Sequence, residues 1–97
     1  MTDTERYVVV RGRRWRRADP RLPEEVRAAL VSALGRARSA VRTAPDDDAR
    51  TAARRRVQAA KEGLGERGTA WWDLGEHEAI GRARDRLARL RELEDEA

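Results

Sequence analysis

The sequence predicts a mainly α fold: an N-terminal β-hairpin packed on an antiparallel helical hairpin, plus a third, C-terminal amphipathic helix. Three observations carry this prediction. Apolar residues recur at steps of three and four over three long segments. Prolines, aspartates and glycines stand where those segments begin and end. One short β-branched run, Tyr7-Val8-Val9-Val10, comes before them, with a Gly-containing connection behind it.

Residues 1–6 are polar and read as a disordered N-terminus. Residues 7–17 read as the β-hairpin, with Gly12 supplying the positive φ that its turn needs. A three-residue loop with Gly12 in a bulge is expected, because a two-residue type I′ turn would force Arg11 to positive φ as well. A lone two-stranded ribbon is marginal in water, so it must lie on something. Trp15 is its expected anchor. Asp19-Pro20-Arg21-Leu22-Pro23 breaks the strand, since a residue before proline is pushed to extended geometry. Residues 23–43 read as the first long helix. Pro23 suits a first helical position, and Glu24 and Glu25 complement the positive end of the dipole. Val26, Leu30, Ala33, Leu34, Ala37 and Val41 make its apolar face.

Residues 46–63 read as the second long helix, opened by Asp46-Asp47-Asp48 and striped by Ala49, Ala52, Ala53, Val57 and Ala60. The short connection makes the two helices antiparallel neighbours, and alanine in both stripes lets their backbones approach closely. Residues 74–92 read as the third, with Asp73 and Glu76 spaced as a capping box. Its seam, Ile80, Ala83, Leu87 and Leu90, steps by three, four and three, the a/d rhythm of a coiled coil. Residues 93–97 read as a frayed acidic tail, because Glu94, Asp95 and Glu96 sit at the negative end of the helix dipole.

Ninety-seven residues make one small domain, here 7–92. Charged residues make up 41%, against a usual ~25%. Seventeen alanines account for much of the apolar content, and there is no Phe. A core so poor in large side chains favours borrowing apolar surface from a second copy, so a homodimer sealed by Ile80, Ala83, Leu87 and Leu90 is expected. The absence of Cys excludes disulfides and thiolate chemistry. No apolar run approaches the ~20 residues of a membrane span. The start, MTDTERY, has no secretory h-region, so a cytoplasmic location is expected. The cations are 21 Arg and a single Lys, Lys61. Residues 1–22 carry a net +4 and residues 71–97 a net −3, so the chain is basic in front and acidic behind.

Four groups of residues could carry chemistry. Gly63-Leu64-Gly65-Glu66-Arg67-Gly68 matches the letters of a dinucleotide fingerprint, but a helix enters it and no βαβ unit surrounds it. It reads as a helix C-cap followed by a glycine turn. His77 stands alone beside Glu76 and Glu78, which is a poor metal set, and no cofactor, metal or catalytic residue is expected. Arg11, Arg13, Arg14, Arg16 and Arg17 surround Trp15. Alternation places Arg13, Trp15 and Arg17 on one face and Arg14 and Arg16 on the other. With Arg6, Arg21, Arg54 and Arg55 they could form a phosphate-binding surface. Trp71-Trp72 reads as a core plug at the open end of the helical hairpin, or as a partner contact.

The same residues carry a resemblance. Val9-Val10-Arg11-Gly12-Arg13-Arg14-Trp15-Arg16, Asp19-Pro20, Leu22-Pro23, Arg38-Ser39-Ala40-Val41, Arg56-Val57, Ala60-Lys61, Leu64-Gly65-Glu66-Arg67-Gly68 and Trp71-Trp72 form a combined pattern over about residues 7–72. It resembles a group of small proteins of high-GC bacteria labelled "biopolymer transporter Tol". The resemblance implies no established activity and transfers no site residues. The third helix lies outside the shared pattern.

The leading expectation is a non-enzymatic binding module that docks a polyanion, nucleic acid first, through the Arg hairpin. The alternative is a protein–protein adaptor that grips an acidic partner with the Trp pair and the C-terminal helix. A third expectation is self-masking, in which Glu92–Glu96 pairs with the Arg hairpin of its own chain or of a dimer mate.

Overall fold

The computed structural model describes residues 2–96. In chain order its elements are helix α1 (Asp3–Arg6), strands β1 (Tyr7–Val10) and β2 (Arg13–Arg16), helices α2 (Glu24–Thr43) and α3 (Asp47–Leu64), a 3-10 turn (Trp71–Asp73) and helix α4 (Glu76–Glu96). The fold class is the expected one: an antiparallel β-hairpin beside a helical hairpin and a third long helix.

The long helices begin and end for local reasons. At the start of α2 the Pro23 carbonyl accepts from Val26 and Arg27, at 3.1 and 2.9 Å. Its end is set by Ala44, held extended by Pro45. Asp46 caps α3, its carboxylate accepting from the Ala49 amide at 2.8 Å. Gly65 closes α3 at φ 89°. Its amide donates to Glu62 and the Glu66 amide donates to Lys61, the paired bonds of a Schellman motif. The glycine-rich stretch is therefore the expected C-cap. Helix α4 opens at Gly75, whose carbonyl accepts from Ala79 at 2.9 Å. Asp73 is taken up in the 3-10 turn and does not stand at the helix start expected for a capping box.

The core is one cluster. Leu22 and, from α2, Val26, Leu30, Ala33 and Leu34 meet Ala59, Ala60 and Leu64 of α3 and Ala83, Leu90 and Leu93 of α4. Gly63 marks the closest approach: a Cβ there would lie 2.9 Å from Leu30 Cδ2 and 3.1 Å from Arg86 Cβ. Small residues in the seam let three helices share one core with few large side chains.

Four expectations need correction. Residues 3–6 are ordered as α1, because the Arg17 amide donates to the Arg6 carbonyl at 2.7 Å and Arg17 Nε to the Thr4 carbonyl at 2.8 Å. Residue 1 lies outside the described residues. The hairpin turn is the two-residue type I′ form after all. Arg11 takes φ 51° and Gly12 φ 78°, and Val10 pairs directly with Arg13. That turn matches the right-handed twist of the strands, which outweighs the left-handed cost at Arg11, about 1–2 kcal/mol.

The seam Ile80, Ala83, Leu87 and Leu90 faces its own chain. Ala83 and Leu90 are buried in the core, and Ile80 and Leu87 pack against it. The a/d rhythm is thus satisfied within the chain, against the core that α2 and α3 share with it. Residues 93–96 do not fray. Leu93 is buried, and the Glu94 carboxylate is held by both Arg36 Nε and Nη2 at 2.9 Å. A bidentate clasp to α2 offsets the unfavourable dipole. Residue 97 lies outside the described residues.

Two glycines give a direct test of this packing. Gly12 has positive φ and open space around it, whereas a Cβ on Gly65 would also lie 3.0 Å from Trp71 Cβ and Cδ1. Gly12→Ala is expected to cost only the backbone term, about 1–2 kcal/mol. Gly65→Ala should cost more, read as a larger drop in melting temperature. Equal drops would remove the Trp71 contact from the account.

Candidate functional site

The hairpin is held at its base and free at its tip. Tyr7 meets Trp72 edge-on at 5.3 Å, and Trp72 meets Trp71 edge-on at 5.3 Å. Trp71 is 1% exposed, and its Nε1 donates to the Arg17 carbonyl at 3.0 Å. Arg16 Nη1 donates to the Gly68 carbonyl at 2.7 Å, and the Asp19 amide to the Leu64 carbonyl at 2.8 Å. The anchor is thus Tyr7 on the Trp pair. The expected anchor, Trp15, is 39% exposed. It lies outside the core, 4.8 Å from the Arg13 guanidinium and 5.3 Å from Lys61 Nζ. Tyr7 stands at the base of β1, where the ribbon meets the 3-10 turn. Trp15 pairs across the ribbon with Val8, on the opposite face.

The five hairpin arginines divide into two sets. Arg16 and Arg17 serve structure, bonding the carbonyls of Gly68, Thr4 and Tyr7. Arg11, Arg13 and Arg14 are exposed; Arg11 and Arg13 stand at the turn, and the Arg14 guanidinium reaches back over Tyr7, 4.0 Å from its ring. Among the described residues none of the five forms an ion pair with a carboxylate, and the pairs that do form lie elsewhere. Carbonyl partners and aromatic rings leave a guanidinium charge in place, so the ribbon keeps its field. Within the chain the acidic end does not mask the hairpin: Glu94 is engaged by Arg36 and Glu92 by Arg89.

Beneath the Trp15 face of the ribbon lies an open groove of about 560 Å³, lined also by Val8, Val10, Arg13, Arg38, Lys61 and Glu66. Lys61 is 7% exposed. Burial pushes its ammonium pKa down; Glu66, with Oε1 at 4.0 Å, opposes that shift, while Arg67 and Arg38 add to it.

Of the other arginines expected at the surface, Arg6 stacks on Trp72 at 5.0 Å and Arg21 is bonded to Asp19. Arg55 lines a mixed groove with Glu62, Asp85 and Glu92 on the far side of α3. Arg54 lies in a groove with Arg38, Arg42 and Arg67, which shares Arg38 with the groove under the hairpin. Arg38, Arg42, Arg67 and Lys61 were not anticipated as site residues. The available signal was the spacing Arg38–Arg42, one helical turn on one face, repeated across the hairpin by Arg54.

Of the two roles open to the Trp pair, the core role holds for Trp71, and Trp72 is half-buried between Tyr7 and Arg6. His77 is exposed, and among the described residues no group of three or more His, Asp or Glu side chains comes together as a metal site. Among the described residues no helix is long and apolar enough to cross a membrane. No family model, curated protein or solved structure matches the chain.

Proposed function

We propose that this chain is a non-enzymatic polyanion-binding module and that nucleic acid is the polyanion it fits. The observation that carries the reading is the unneutralised ribbon: Arg11, Arg13 and Arg14 have no carboxylate partner among the described residues, whereas Arg27, Arg36, Arg50, Arg84, Arg86 and Arg89 of the helices are drawn into ion pairs. The two-stranded ribbon carries all three cations exposed, Arg13 beside Trp15 on one face and Arg14 over Tyr7 on the other. Guanidinium groups so placed bond phosphate oxygens and release condensed counterions. Nothing in the ribbon presents a base-reading set, so binding is sequence-independent.

The expected result is binding whose log K falls against log salt with a slope of roughly −3 to −4 on duplex, as about four phosphate contacts require. Arg11→Gln, Arg13→Gln and Arg14→Gln together should flatten that slope by about 3 and leave the melting temperature unchanged. Absence of any mobility shift with duplex or single strand at about 50 mM salt would overturn the reading.

A further inference from the structure

We infer that the binding surface is a two-groove track for a single strand, with one base laid against Trp15. This rests on the polyanion reading above and names its substrate class.

The second groove, about 520 Å³, runs between α2 and α3. Four guanidiniums line it, those of Arg38, Arg42, Arg54 and Arg67, and no carboxylate does. Arg38, Arg42 and Arg54 are exposed and form no ion pair among the described residues. Arg67 Nη1 donates to Gln58 Oε1 at 2.7 Å, which fixes its position without cancelling its charge. Arg38 lines both this groove and the one under the hairpin, so the two join at that side chain. The track carries cations along its length and one exposed aromatic, Trp15, at its hairpin end.

That combination suits a flexible strand. Charged grooves follow the phosphates while an aromatic face takes a base of any identity. A single strand bends easily from one groove into the other at Arg38, whereas a duplex is stiff over ~150 base pairs.

The test uses the full chain with an oligothymidylate of about 20 nucleotides, spanning at least one site of the ~4–16 nucleotides usual for such folds. Wild type should bind it more tightly than a duplex of equal length at the same salt, with quenching of tryptophan emission. Trp15→Leu should remove most of the quenching and weaken binding roughly 5- to 150-fold. Arg42→Gln with Arg54→Gln, remote from the hairpin, should flatten the salt slope by about 1.4, the single-strand value for two contacts. An unchanged slope in that double variant would overturn the track while leaving the hairpin reading intact, provided the hairpin triple variant still weakens binding. Tighter binding of the duplex would overturn the single-strand assignment. Failure of wild type to bind either probe would overturn the polyanion reading itself. Should Trp15→Leu disturb the fold by circular dichroism, the Arg42/Arg54 variant decides, because both side chains are exposed.

Discussion

Trp71→Ala is expected to cost about 3–5 kcal/mol of folding stability. That is about a fifth or more of the roughly 5–15 kcal/mol holding a typical domain together. Three losses combine. Trp71 is the largest fully buried side chain, and its removal opens a cavity beside Gly65. The Arg17 carbonyl loses its 3.0 Å donor. Trp72 loses the edge-on partner at 5.3 Å that carries Tyr7 and the ribbon. Trp71→Phe separates these terms: it keeps an aromatic ring but removes the indole N–H, and should cost less. Trp15→Ala, at a 39% exposed position, should cost least of the three. Denaturant midpoints followed by circular dichroism rank them. A Trp71→Ala loss no greater than that of Trp15→Ala would contradict the assignment of Trp71 as the plug.

The helices were legible because their causes are local. Pro23, Asp46 and Gly65 act on the residues beside them, and the structure places the caps on those residues. Periodicity also identified the buried faces, down to Leu30, Ala60 and Leu90. It could not say what covers them. Ile80, Ala83, Leu87 and Leu90 have the same spacing whether they meet a second copy or the chain's own hairpin. The acidic end misled for a related reason: the dipole argument sees one helix, whereas Arg36 reaches Glu94 from 58 positions away.

The same limit applies to the site. Strand alternation divides Trp15 from Arg14, which lies over Tyr7, but not from Arg16, which lines the Trp15 groove, and Arg17 bonds the Tyr7 carbonyl instead of joining the Trp15 face. Which face is anchored depends on where Trp72 lies, and that is fixed only by the tertiary fold. Arg38 and Arg54 share one groove, but they stand on different helices. Their juxtaposition follows from how closely the Ala-rich seam lets α2 and α3 approach.

Arg21→Ala is expected to cost about 3–5 kcal/mol, the loss usual when a buried charge is stripped of its partner. Asp19 is 1% exposed. Its Oδ1 accepts from the Arg21 amide at 2.9 Å and from Nε at 3.0 Å, and its Oδ2 from Nη2 at 2.9 Å. The same guanidinium donates to the carbonyls of Leu74 at 3.1 Å and Trp71 at 2.7 Å. One side chain therefore ties the Asp-Pro turn after the ribbon to the 3-10 turn beneath it. Its bond to Asp19 raises the guanidinium pKa above its ordinary value. Arg21→Lys keeps the charge but not the planar fork, and should recover only part of the loss. Asp19→Asn should cost less than Arg21→Ala, because Arg21 is 28% exposed and water can take over its donors. The surface pair Arg27–Glu24 provides a contrast, since exposed pairs contribute little and are screened by salt. The Arg21→Ala loss should therefore persist between about 0.1 and 1 M salt. Unfolding curves at both salts measure it, and a loss below about 1 kcal/mol would mean that Asp19 finds other partners and that the clasp does not hold the ribbon in place.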